Sequence, residues 1–120
     1  MFILGGIMEY KMKLQNRPFE MIKSGIKTIE MRLNDEKRQL LRIGDFIEFT
    51  NIDNLEILKV IIEDIQVYNS FIELYNNYSK ESLGYLPDED ANSSDMELYY
   101  SKEEQDKYGV MAIKVRVLKK

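Results

Sequence analysis

A chain of 120 residues with 44% hydrophobic composition can bury one ordinary core and not two, so a single domain is expected. It contains no cysteine and no histidine, which excludes disulfides, thiolate nucleophiles, histidine-based triads and His/Cys zinc sites and leaves Lys, Tyr, Thr, Ser and carboxylates to carry any chemistry. The net charge of −4 argues against gripping nucleic acid by bulk electrostatics, but residues 1–50 carry nine Lys/Arg against seven Asp/Glu and residues 51–120 eight against fourteen, which leaves room for a basic face in the first half.

Residues 1–8 are apolar but have no basic flank and run straight into Glu9-Tyr10-Lys11, a poor signal peptide. They read as an N-terminal arm, disordered or added to a sheet edge, or as a stretch upstream of a start at Met8. Apolar runs such as Val60-Ile61-Ile62 are broken by Lys59, Glu63 and Asp64, far short of the roughly 20 residues that cross a bilayer. A soluble, cytoplasmic protein with no membrane partner is expected.

From Met8 to Leu14, apolar Met8, Tyr10, Met12 and Leu14 alternate with charged residues in the period of a half-buried strand. Asn16-Arg17-Pro18-Phe19-Glu20 then has a capping Asn and an early Pro, predicting a short helix to about Ser24, with Gly25 in the left-handed position beyond its end. A second strand is expected over Lys27–Leu33, with Ile29, Met31 and Leu33 on one face and Thr28, Glu30 and Arg32 on the other. Asp35–Leu41 suits a short helix or turn, and Arg42-Ile43-Gly44-Asp45 a tight turn into the strand Phe46–Thr50. The turn signal Asn51–Asn54 and the β-branched run Leu55–Val67 complete a hairpin.

Tyr68–Tyr78 places Phe71, Ile72, Leu74 and Tyr75 near helical spacing, Ser82–Ser94 reads as an exposed loop, and Met96–Tyr108 as one or two helical turns. Within the last, Ser101 and Glu104 match a capping box and Gly109 a stop. Val110–Leu118 alternates once more, with Met111, Ile113, Val115 and Val117 inward and Lys114 and Arg116 outward. Strands with short helices between them define an α+β or small-barrel architecture. Periodicity does not show whether the sheet closes.

The string Gly25-Ile26-Lys27-Thr28-Ile29-Glu30-Met31-Arg32 resembles the signature of the ASCH domain family: glycine, any residue, lysine, two residues, glutamate, any residue, arginine. Lys23-Ser24-Gly25 closing a helix after Pro18-Phe19, the Gly44-Asp45 turn into Phe46–Phe49, and Tyr99-Tyr100 followed by Glu104–Val110 are also similar to this family, so the resemblance spans about residues 9–118. It implies a PUA-like mixed β-barrel with short helices inserted between strands, occupying residues 9–120. It also implies a partner that is RNA or a modified nucleoside or nucleotide; no cofactor and no metal are expected. Some members of the family are acetylcytidine amidohydrolases using a lysine, a glutamate and a threonine three residues after the motif lysine. Here that position is Glu30, which removes the expected hydroxyl, and Thr28 is out of register with it.

Strand geometry puts Glu30 and Arg32 on one face with Cα atoms about 6.5–7 Å apart. Lys27 has the opposite parity, and a lysine resists the core, so it is expected before the regular strand, swung by Gly25-Ile26 toward Glu30 and Arg32. If the three converge in a cleft, Arg32 suits bidentate contact with phosphate, Glu30 suits an exocyclic amine, and Lys27 suits phosphate or, with its pKa lowered, a base. The competing picture is a solvated charge ladder on an exposed strand, worth tenths of a kcal/mol per pair.

The ligand-binding set is thus Gly25, Lys27, Thr28, Glu30, Arg32, Tyr100 and Tyr108, with Lys27 and Glu30 as candidate catalytic groups. Tyr99, Tyr100 and Tyr108 can each stack on a base, although at this spacing at least one belongs to the core. Phe19, Phe46, Phe49 and Phe71 read as packing. Glu97, Glu103 and Glu104 read as a solvated helix face and Asp88-Glu89-Asp90 as loop solvation. Recognition of RNA or a nucleotide is the leading expectation, an amidohydrolase acting on an N-acylated cytidine the alternative, and a protein-interaction domain the third.

Overall fold

A computed structural model describes residues 2–4 and 6–118. Its strands are β1 (Phe2–Leu4), β2 (Ile7–Leu14), β3 (Ile29–Leu33), β4 (Phe46–Asn51), β5 (Ile57–Tyr68) and β6 (Val110–Val117). They form one sheet in the order β1-β2-β4-β5-β6-β3. All neighbours are antiparallel except β2 and β4, which run parallel because the chain between them crosses over through a helix, β3 and a short 3-10 turn at Arg38–Leu40. The helices are α1 (Asn16–Lys23), α2 (Phe71–Tyr75) and α3 (Lys102–Tyr108). The result is an α+β fold built on one curled mixed sheet.

The curl brings edge strand β3 back beside the end of β2, where Arg32 Nη2 donates to the Lys13 carbonyl at 3.1 Å. No backbone ladder joins these two strands among the described residues. The barrel is therefore incomplete, and a side chain spans its seam. Phe2–Leu4 pairs with Ile7–Glu9 at the opposite edge; Met1, Gly5 and residues 119–120 lie outside the described residues.

Two cores result from the alternation along β6. Met111, Ile113 and Val115 face the barrel interior with Phe19, Ile22, Ile47, Phe49, Val60 and Ile62. Val110 and Ala112 face the other way, onto Ile29, Met31 and Leu33 of β3 and onto Phe71, Leu74, Leu83 and Met96. The second core exists because α2 and the segment after it fold over the outside of β3 and β6. Lys114 and Arg116 stay exposed, as alternation predicts, but the first half of β6 is buried on both faces.

Several expected boundaries shift for identifiable reasons. The helix expected over Tyr68–Tyr78 shrinks to Phe71–Tyr75, because Tyr68 remains paired to Val110 in the sheet and Ser70 caps the helix, its hydroxyl accepting from Glu73 N at 3.2 Å. Asn16 does not cap α1: Gln15 holds that position without a side-chain bond, and Asn16 Oδ1 instead accepts from buried Asn51 Nδ2 at 2.9 Å. The expected capping box at Ser101 and Glu104 is present. Gly109 does more than stop α3. Its φ is +73°, and a Cβ there would sit 2.9 Å from the Tyr68 carbonyl, so glycine lets the chain turn tightly against β5.

Candidate functional site

Glu30 and Arg32 face inward because of where β3 pairs. Directly opposed residues in an antiparallel ladder share a face, and Glu30 pairs with Ile113 and Arg32 with Met111, both of which face the barrel interior. β3 thus gives its apolar residues to the outer core and its two charged residues to the interior beside the seam. The charge-ladder alternative fails here, since Glu30 and Lys27 are each only 5% exposed.

Lys27 reaches them from an irregular approach. Ser24 caps α1, Gly25 follows at φ +85°, and Lys27 N donates to Met21 O at 3.0 Å before the regular strand begins at Ile29. Its Nζ donates to the Leu83 carbonyl at 3.0 Å and lies 3.6 Å from Glu30 Oε1. Glu30 Oε1 also accepts from Met31 N at 3.1 Å, while Oε2 accepts from Arg32 Nε at 3.1 Å and Nη2 at 2.8 Å. The carboxylate thus accepts three hydrogen bonds from the protein and sits between two basic side chains.

Burial is the largest influence on all three groups. It pulls Lys27 below the usual lysine range, with Glu30 only partly compensating. For Glu30 it favours the neutral acid, but Arg32 and Lys27 together outweigh it and hold the carboxyl below its usual range. Burial likewise opposes the Arg32 charge, and Glu30, then Tyr100, reverse that and raise it. Burial also raises Tyr100, against the pull of Arg32 and Arg38. The trio sets one carboxylate between two basic side chains.

The trio lines a cleft of about 430 Å³ that opens at the seam between β2 and β3. Lys13, Arg17, Lys27 and Arg32 line it against only Glu30 and Asp95, so a chain of net negative charge has a cationic cleft. Tyr75, Tyr85, Tyr99 and Tyr100 supply aromatic surface, and Met21, Met31, Met96, Leu83 and Pro18 supply apolar surface. Tyr100 stacks on Phe71 with ring centroids 6.2 Å apart. The Tyr75 and Tyr85 hydroxyls lie 2.8 Å apart, and Tyr85 donates to Asp95 Oδ2 at 2.7 Å. Among the described residues no cluster of carboxylates is able to hold a metal ion.

Of the residues singled out by sequence, Lys27, Glu30, Arg32 and Tyr100 meet at this cleft and Tyr99 lines its wall. Gly25, Thr28 and Tyr108 do not line it. Gly25 shapes the approach, while Thr28 is a backbone anchor whose N–H donates to Ser82 O at 3.1 Å and whose carbonyl accepts from Val115 N at 2.9 Å. Tyr108 packs at the rim of the second core with the Lys107 ammonium 5.0 Å from its ring centroid. Glu89 is not plain loop solvation: it pairs with Arg17 and accepts from Leu86 N at 2.7 Å. Sequence reading missed Arg17, hidden in a helix-start string, and Tyr75, Tyr85 and Asp95, which only the folding of 71–98 over β3 brings to the cleft.

A curled mixed sheet with short inserted helices is a PUA-like fold of the α+β class. The family model for the ASCH domain matches residues 12–119, and the chain belongs to that family, whose domains are associated with RNA binding. Two solved structures resemble it over nearly its whole length. Hypothetical protein PH0355 is 36% identical, with a TM-score of 0.81, over 92% of this chain and 100% of that one. Protein PF0455 from Pyrococcus furiosus is 38% identical, with a TM-score of 0.69, over 94% and 100%. ASCH from Zymomonas mobilis, at 18% identity and TM-score 0.64 over 90% of this chain and 66% of that one, shares the fold. The comparison with curated proteins gives no match. No helix among the described residues is long and apolar enough to cross a membrane.

Proposed function

We propose that this chain binds RNA or a nucleotide in the seam cleft, a tyrosine of the wall stacking on a base and Arg32 meeting a phosphate or carbonyl edge. The observation that carries the reading is the buried Lys27–Glu30–Arg32 trio beneath Tyr100. Glu30 fixes Arg32 through Nε and Nη2, and Nη1 makes no hydrogen bond within 3.5 Å among the described residues. A preorganised guanidinium beside aromatic rings in a cleft of nucleotide size is suited to phosphate and base recognition. Short single-stranded RNA labelled with a fluorophore is expected to bind in an anisotropy titration at low salt. Arg32→Lys, which keeps the charge but loses the fork, is expected to weaken binding at least tenfold. No binding across an RNA and nucleoside panel removes the reading.

The buried Lys27 ammonium, held below its ordinary pKa by desolvation, supports a second reading as an amidohydrolase of acylated nucleosides, with Lys27 as base. Against it, Glu30 stands where the family's chemistry has threonine, and Thr28 does not line the cleft. Incubation with acetylcytidine followed by chromatography is expected to leave the substrate intact; released cytidine that disappears in Lys27→Met would reverse the order of the two readings. The protein-interaction reading required a surface without a cleft at Lys27 and gains no support.

A further inference from the structure

We propose that Arg17 and Lys13 form a phosphate subsite at the cleft mouth and that Glu89 occupies it as an internal competitor. This inference deepens the nucleotide reading by assigning the ligand's anionic group a second position, apart from the buried trio. Arg17 stands on the first turn of α1 and lines the cleft, with its side chain 54% exposed. One nitrogen, Nη2, makes all its hydrogen bonds, to the Glu89 carboxylate and to the Gly84 carbonyl at 3.4 Å. The other two guanidinium nitrogens make none among the described residues. Lys13 lines the same mouth from the end of β2 and forms no ion pair among the described residues.

The loop that carries Glu89 is built so that its side chain can leave without the backbone following. Lys80 Nζ donates to the carbonyls of Pro87 and Glu89, each at 2.7 Å, and Glu89 N donates to Leu86 O at 3.0 Å. Those bonds hold the main chain whether or not the carboxylate is on Arg17, and a departing carboxylate gives up only its bonds from Arg17 and from Leu86 N. The carboxylate is a monoanion with one hydrogen-bonded oxygen on the guanidinium, whereas a phosphate offers three oxygens and more charge to the same fork and to Lys13. An exposed ion pair is weak enough for such an exchange. The subsite therefore discriminates: a neutral nucleoside gains nothing by displacing Glu89, and a 5′-phosphorylated nucleotide does.

The test compares nucleoside with 5′-monophosphate binding by calorimetry, using uridine and adenosine and their monophosphates, in the wild-type chain, Glu89→Gln, Arg17→Gln and Glu89→Gln/Arg17→Gln. Glu89→Gln is expected to tighten monophosphate binding about threefold to tenfold and to leave the nucleosides unchanged, and the added Arg17→Gln to abolish that gain. Equal effects on nucleoside and monophosphate, or a gain that survives loss of Arg17, overturn the proposal. Inorganic phosphate, followed through the Arg17 Nε–H resonance, separates it from the nucleotide reading. A phosphate-dependent shift in Glu89→Gln larger than in wild type supports the subsite even if no nucleoside binds any variant, and its absence at tens of millimolar phosphate refutes it.

Discussion

Glu30→Ala is expected to destabilise the fold by about 3–5 kcal/mol, because it strands two buried cations that share one carboxylate. Lys27 and Arg32 both depend on Glu30, through the 3.6 Å contact with Oε1 and the two bonds to Oε2. For a domain whose total stability is of order 5–15 kcal/mol, that is enough to unfold much of the population on mild heating. Lys27→Met is expected to behave differently and to stay within about 1 kcal/mol of wild type. Its removal leaves Glu30 paired with Arg32, and methionine fills a similar volume beside Gly84, where the lysine stem packs closely. The Leu83 carbonyl loses a donor, which costs, but an ammonium is no longer held out of water, which offsets it. Urea titrations at neutral pH with unchanged m-values measure both. Equal, mild effects of the two substitutions would mean that the trio is solvated and that the buried-cation account is wrong.

The asymmetry between these neighbours shows where sequence reasoning reached and where it stopped. Alternation along Ile29–Leu33 separated Glu30 and Arg32 from the apolar residues, and the parity of Lys27 placed it correctly before the strand. What alternation along one strand cannot tell is which face meets a core. β3 is buried on both sides, since 71–98 fold over its apolar face while its charged face closes a barrel seam. That second layer depends on contacts between residues distant in sequence, and no local pattern reports them. The family resemblance singled out Tyr100, whereas no local pattern pointed to Tyr75, Tyr85 and Asp95. Tyr108 does not line the cleft; the helix that carries it ends at Gly109, against the Tyr68 carbonyl of β5.

Acid is expected to reproduce the Glu30→Ala defect in the wild-type chain, and the sign follows from the direction of each shift. The folded-state pKa of Glu30 lies below its unfolded value, so the stability it contributes is fully present above about pH 4.3 and is lost as pH falls through the lower folded value. Protonated Glu30 no longer balances Arg32 and Lys27, and stability should fall more steeply in wild type than in Glu30→Ala, where that dependence is already gone. Lys27 is depressed too, but as a base it acts on the alkaline side. Between its folded value and the ordinary lysine value of about 10.4, the unfolded chain binds a proton that the folded chain does not, so stability rises with pH. Tyr78 and Tyr85, raised by burial first and then by their hydroxyl partners, work in the opposite sense and lose stability as pH climbs beyond about 10. The Lys27 contribution is therefore read as the difference between wild type and Lys27→Met in urea midpoints from pH 7 to 10. Wild type should gain on Lys27→Met across that interval, and parallel profiles would show that the ammonium is not desolvated in the folded chain.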